Sequence, residues 1–277
     1  MIDTHLHFWD LETYQHQHWF KDKPLLQRSW LPPDVKPVFD QCGVTSGVIV
    51  EAGKDDHALN KWWLELAEQY DYIGAVVLGC SLEHENLTAW LDEYGQSPYF
   101  VGLRSNPTGA PSSWRDNAAT QRGLAELERR DLSLDLLLGY PAFAAVGELA
   151  AAYPALRINL NHCAHPPLRE GDLRAWATAL EPLVAYPNIH IKYSSLLLYS
   201  YPDSEEARLR GVTDFLFGRF GIERMMWGSN WPVELLGGSY WDAFTAMRMC
   251  AEPLTGEERQ ALFLDNAKRF YRVRMPG

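Results

Sequence analysis

Short apolar runs alternate with longer amphipathic stretches along the whole chain. Eight runs read as strands: 2–8, 45–51, 72–78, 100–104, 132–138, 156–161, 189–193 and 224–229. Gly47-Val48-Ile49-Val50 and Ala75-Val76-Val77-Leu78 are apolar almost throughout, as expected where both faces of a parallel sheet are covered. Between the strands, residues 56–69 carry Leu59, Trp62, Trp63, Leu66 and Ala67 at helical spacing with charges between them. Residues 119–130, 143–153, 172–184, 205–219 and 240–250 read in the same way. A last helix starts at Thr255-Gly256-Glu257-Glu258, a capping-box pattern, and runs to about Tyr271.

Eight strand–helix units predict a (β/α)8 barrel of the α/β class, one domain over residues 1–277. No repeat, low-complexity segment or linker divides the chain. An open doubly wound sheet is the alternative, but no Gly-rich turn follows the first strand to support it. A barrel gathers its chemistry at the C-terminal ends of its strands. The loops 10–32 and 105–113 and the segment 194–204 are therefore expected to shape a pocket.

Composition narrows the function classes. Hydrophobic residues make up 47% and charged residues 22% of the 277 residues, ordinary values for a globular domain. A net charge of −11 argues against a nucleic acid or an anionic membrane as partner, since both attract basic patches. Cys42, Cys80, Cys163 and Cys250 show no C-x-x-C spacing, so reduced thiols in a cytoplasmic protein are expected. No leader is read before the first strand, and no apolar run reaches the roughly 18 residues that span a bilayer.

The polar residues that close the strands form a short set. His5 and His7 alternate on the first strand and project from one face, where two imidazoles suit a divalent ion; packing near a frayed terminus is the other reading. Glu51, Arg104, Asn161-His162, Lys192-Tyr193-Ser194 and Trp227-Gly228-Ser229-Asn230-Trp231-Pro232 close later strands. Arg104 and Lys192 are either substrate-binding cations or members of buried ion pairs, and Glu51 is the best remaining carboxylate for base work. His165 reads as a loop histidine or a site residue, and His18 lies in the aromatic first loop. Trp9, Trp19, Trp30, Trp231 and Trp241 lie in or beside the expected mouth; they either stack on sugar C–H faces or belong to a chain that is aromatic-rich throughout.

Taken in order, these segments resemble the amidohydrolase superfamily, in its amidohydrolase-2 branch, which contains sugar lactonases. The resemblance rests on Ile2-Asp3-Thr4-His5-Leu6-His7-Phe8-Trp9, Val101-Gly102-Leu103-Arg104, Pro154 to His162, Ile191-Lys192-Tyr193-Ser194, Met226 to Val233, and Asn266-Ala267-Lys268-Arg269-Phe270-Tyr271. It implies a hydrolase that opens a small cyclic ester, an aldonolactone of fucono- or rhamnono- type. It also implies one divalent ion, zinc first, held by His5, His7 and His162, with metal-independent action left open. Asn230, His162 and Lys192 take the catalytic roles, and Arg104, Glu51, Tyr193, Trp231 and Trp9 bind substrate. The expected partner is a small sugar lactone or related acid; self-assembly into a homo-oligomer is left open. The family usually carries Asp at the position of Asn230, and an amide is neither a general base nor a good metal ligand. Three accounts stand: Asn orients water while another group takes the proton, the residue is a substrate-trapping substitution, or hydrolysis has been lost. A metal-dependent non-oxidative decarboxylase and a non-catalytic sugar-acid binder are the competing functions.

Overall fold

Residues Ile2–Leu6 form strand β1, followed by β2 (Ser46–Val50), β3 (Ile73–Gly79), β4 (Phe100–Arg104), β5 (Ser133–Leu136), β6 (Arg157–Leu160), β7 (Ile189–Tyr193) and β8 (Met225–Trp227). The computed structural model describes residues 1–13, 20–53, 55–105, 113–169, 173–200 and 206–277. Each strand pairs in parallel with the next, in the order β1 to β8. The ring closes where the chain beyond β8 meets β1: Leu6 bridges Trp231, His7 N donates to Trp231 O at 2.8 Å, and Asn230 N donates to His5 O at 2.9 Å. The expected (β/α)8 barrel is therefore present, and its seam lies at the candidate site.

Gly228 allows that seam. A Cβ there would lie 2.9 Å from the Cβ of His5 and 3.0 Å from its backbone nitrogen. Only a residue without a side chain lets the two segments approach this closely.

Helices cover the outside of the ring. His57–Gln69 starts where Asp56 accepts from Leu59 N, and Gly256–Gln260 starts at the Thr255–Glu258 capping box read from sequence. That last helix continues through a π-helical turn, Ala261–Asp265, into Asn266–Tyr271. The stretch 172–184 divides at Pro182 into a helix, Arg174–Leu180, and a 3-10 turn, Glu181–Ala185. Among the described helices of eight or more residues, two are absent from the sequence pattern. Pro32–Cys42 carries three prolines, which read as breakers, although two of them sit at the tolerated N-terminal positions. Leu87–Tyr94 has only eight residues, too few for a clear period.

The interior holds a separate apolar cluster. Ile2, Val48, Val50, Ala75, Val77, Val101 and Met226 pack against Ala267, Phe270, Tyr271 and Val273. Arg274 N donates to Gly74 O and Ser46 Oγ donates to Arg274 O, so the C-terminal segment closes the strand-start end of the barrel. The opposite end is left for chemistry. Among the described residues no helix is long and apolar enough to cross a membrane.

Candidate active site

His5 and His7 emerge from β1 with their Nε2 atoms 3.1 Å apart. The Nδ1 of His7 lies 2.9 Å from Val50 O, which can only accept, so His7 carries its proton on Nδ1. Lys192 Nζ lies 3.3 Å from His5 Nδ1 and donates to it. These partners place the His5 proton on Nε2, directed at the lone pair of His7 Nε2. Burial, with the nearby Lys192 and Arg104 cations, holds His5 well below the usual imidazole range and His7 at about 3. Both rings are neutral near pH 7.

Behind this pair runs a buried polar column. Lys192 forms a 2.9 Å ion pair with Asp135 from β5, and Tyr271 donates to both oxygens of Asp135 at 2.8 Å. Asn159 Nδ2 reaches Asp135 Oδ2, Asn161 Oδ1 and Tyr271 Oη. The C-terminal plug is thus joined to the strand-end imidazoles through Lys192. Burial lowers the Lys192 pKa, and the Asp135 carboxylate opposes that shift.

His162 opens an unusual turn. His162, Cys163, Ala164 and His165 have φ values of 56°, 53°, 56° and 51°, four consecutive non-glycine residues in the left-handed region. Ser195 (60°) and Asn230 (65°) share that region. Each such residue costs on the order of 1–2 kcal/mol, and strain of this kind collects at functional sites. The turn carries the His162 ring to a centroid distance of 4.4 Å from His5 and sets its Nδ1 2.9 Å from Ser194 Oγ and 3.1 Å from Ser195 Oγ. Asn230 Nδ2 donates to the same Ser195 Oγ at 2.8 Å, and the Asn230 side chain lies beside His7. Burial and the neighbouring imidazoles and cations keep His162 far below the usual range. His165 is held at about 4, chiefly by burial, and lies against Tyr199.

Arg104 is also drawn into the site. Its Nε donates to Glu51 Oε1 at 2.6 Å and another guanidinium nitrogen bonds Glu51 O. Gly79 makes room for this pair, since a Cβ there would lie 2.9 Å from Glu51 Cγ. The Glu51 carboxylate is thereby engaged in an ion pair through Oε1.

Five further residues of the expected site are placed as follows. Tyr193 alternates to the outer face of β7, is fully buried and pairs with Thr213 Oγ1 at 2.9 Å on the surrounding helix, so it does not reach substrate. Trp9 is fully buried, stacks on Phe20 and donates to Arg28 O. Trp231 packs edge-on against Trp30 and beside Phe8, so neither it nor Trp9 presents a face for a sugar. Trp241 lies on an outer groove of about 560 Å³ with Phe244, Arg248 and Met249, which shares no residue with this cluster. Lys192 is fully enclosed, with its Nζ 3.3 Å from His5 Nδ1. His16, His18 and Trp19, with residues 106–112 and 201–204 of the loops expected around the mouth, lie outside the described residues.

The donor set tests the expected ion. Two imidazole nitrogens 3.1 Å apart suit adjacent positions on an ion bound at about 2.0–2.1 Å. The Nδ1 of His162 is directed to two serines, and an amide stands at position 230. Among the described residues no group of three His, Cys, Asp or Glu side chains is placed to hold a metal ion. The described residues supply a two-nitrogen anchor in His5 and His7, and no third ligand stands in place beside it.

Several contributors were missed in the sequence. Asp135 is a charged residue inside the apolar run Leu134-Asp135-Leu136, which signals an inward, paired acid. Ser195 and Glu234 carry no such signal, because the turns that bring them inward follow the strands. Asp3, inside the first-strand motif, accepts from His5 N, Ser229 N and Tyr240 Oη, and burial raises its pKa to about 6.

The family model described as amidohydrolase matches residues 2–273. A protein from Burkholderia ambifaria named L-fucono-1,5-lactonase is 29% identical over 281 residues, covering 100% of this chain and 97% of its own. One of the same name from Burkholderia multivorans is 29% identical over 291 residues, with coverage of 100% and 97%. A crystal structure of an amidohydrolase from Burkholderia multivorans with bound zinc superimposes with a TM-score of 0.90 at 28% identity, covering 98% of this chain and 99% of that one.

Proposed function

We propose, from the premise that this chain belongs to the amidohydrolase family, that it is an enzyme that hydrolyses a neutral sugar lactone at the strand-end cluster. The two relatives named L-fucono-1,5-lactonase support lactone hydrolysis and point to an aldono-1,5-lactone of that type.

The observation that carries the reading is the charge balance. Each cation of the cluster already has a buried carboxylate partner: Arg104 has Glu51 and Lys192 has Asp135. Among the described residues the cluster has no unbalanced positive charge to receive a substrate carboxylate, and a desolvated anion without a partner is costly. A neutral lactone meets no such cost. The same balance opposes decarboxylation, whose substrate is an acid.

The chain's own residues account for the steps. His162 presents Nδ1 to Ser194 and Ser195, leaving Nε2 for the reacting water. Asn230, between His7 and Ser195, orients that water and leaves the proton to His162. Water oxygen attacks the lactone carbonyl carbon as its proton passes to His162 Nε2. The carbonyl electron pair moves to oxygen, where the remaining Arg104 N–H groups and Asn161 Nδ2, buried without a hydrogen-bond partner, supply donors. Collapse breaks the ring C–O bond, and the ring oxygen leaves with the proton returned by His162. The product is the open hydroxy acid.

Acid release from a panel of neutral aldono-1,5-lactones and carboxylate-bearing lactones tests this reading. Turnover of neutral lactones, with carboxylated ones at least about tenfold poorer in kcat/KM, is expected. Exclusive turnover of the carboxylated members, or turnover of none, overturns it.

A further inference from the structure

Glu234 takes no part in the steps above, yet its carboxyl lies beside them. It sits in the turn Val233–Leu236 beyond β8, 2% exposed. Oε1 accepts from Leu198 N at 3.0 Å. Oε2 is buried without a hydrogen-bond partner, and the Ser195 side chain lies near the carboxyl and opposes the effect of burial on it. Among the described residues no cation pairs with this carboxyl. The titratable groups that face it are Cys163, from the left-handed turn, and Tyr199, from the helix Leu196–Ser200; burial pushes both upward, so both are neutral.

Ser195 is the shared element. A serine hydroxyl has one proton to give and two lone pairs to receive. Asn230 Nδ2 occupies one lone pair. His162 Nδ1 at 3.1 Å and the Glu234 carboxyl divide the remaining proton and lone pair. Two complete arrangements result. With Glu234 protonated, its O–H donates to Ser195, and Ser195 donates to His162 Nδ1, so the imidazole proton is on Nε2. With Glu234 ionised, Ser195 donates to the carboxylate and accepts from His162 Nδ1–H, and Ser194 Oγ, 2.9 Å from the same Nδ1, accepts from it as well, so Nε2 carries a lone pair.

We propose that Glu234 is a positioning residue that, through Ser195, selects which ring nitrogen of His162 carries the proton. It supplies a carboxyl to a site whose Asn230 position lacks one. Burial holds the Glu234 carboxyl at about 8, so both arrangements are populated near neutral pH. Only the ionised arrangement leaves His162 Nε2 ready to take a proton from water.

The test is nitrogen-15 NMR of the histidine rings in the full chain, with the His162 signals identified by their loss in His162→Gln. As pH rises through about 8, the His162 proton is expected to move from Nε2 to Nδ1 with the ring remaining neutral. Glu234→Gln, whose amide always donates to Ser195, is expected to hold the proton on Nε2 at every pH. A wild-type tautomer that does not change across this range, or one that changes equally in Glu234→Gln, overturns the proposal. If Glu234→Gln does not fold, Ser195→Ala serves, with loss of the pH-dependent exchange expected and its persistence contradictory. Resting on the lactonase reading, kcat/KM should also rise through about pH 8 in the wild type and lose that limb in Glu234→Gln, with KM changed less than about twofold. The NMR result stands without any substrate, so failure of the lactonase reading is distinguishable from failure of this one.

Discussion

Lys192 links an acid inside the barrel to an imidazole at its mouth: its Nζ lies 2.9 Å from Asp135 Oδ2 and 3.3 Å from His5 Nδ1. All three side chains are completely buried. One ammonium therefore neutralises the carboxylate and fixes the His5 tautomer.

Removing that ammonium separates its two roles. Lys192→Met leaves Asp135 as an uncompensated buried charge, which costs about 3–5 kcal/mol of stability. Asp135→Asn added to Lys192→Met should recover most of this loss, measured by urea denaturation. Equal stability of the single and double variants would show that the pair is not coupled.

Asp3 gives a pH signature. Burial raises its carboxyl from 3.8 to about 6, so between these values the folded chain holds a proton that the unfolded chain has released. Stability contributed at this group is therefore lost as pH rises through that window, at no more than about 1.4 kcal/mol per pH unit. Asp3→Asn retains an oxygen for His5 N and Ser229 N, which share Oδ1, and removes the titration. The difference in unfolding free energy, wild type minus Asp3→Asn, should fall across this window and level off above about pH 6. A flat difference would place the carboxyl in its ordinary range.

Tyr193→Phe separates the outer face of β7 from the inner. The lost hydroxyl bonds Thr213 Oγ1 and lies beside the Cys250 thiol, so stability should drop by about 1 kcal/mol with kcat/KM within about twofold of wild type. A loss of activity beyond tenfold at full folding would return Tyr193 to the substrate cavity.

Asn230→Asp places a carboxylate beside the His5–His7 pair. Calorimetric zinc titration should show affinity at least about tenfold above wild type, because a carboxylate is a far better zinc ligand than an amide. Unchanged affinity would show that position 230 does not face the same point as the two imidazoles.

Much of this was legible in the chain because barrel chemistry lies where strands end. The alternating His5 and His7, the Asn-His after β6 and the Gly228–Asn230 seam all sit at such ends. What the pattern could not give was facing and partnership. Tyr193 and Lys192 are neighbours on β7 and point to opposite faces. Trp9 and Trp231 have the composition of a sugar platform but fill their own aromatic core. Ser195 and Glu234 depend on left-handed backbone at Ser195 and Asn230, a conformation that no residue-type rule assigns to serine.

The central claim is that His162 takes the proton from water during lactone opening. Steady-state hydrolysis of a neutral aldono-1,5-lactone by wild type and His162→Asn tests it most directly. The account predicts a fall in kcat of about 10²–10⁴-fold with the fold intact. Retention of wild-type kcat in that variant would contradict it.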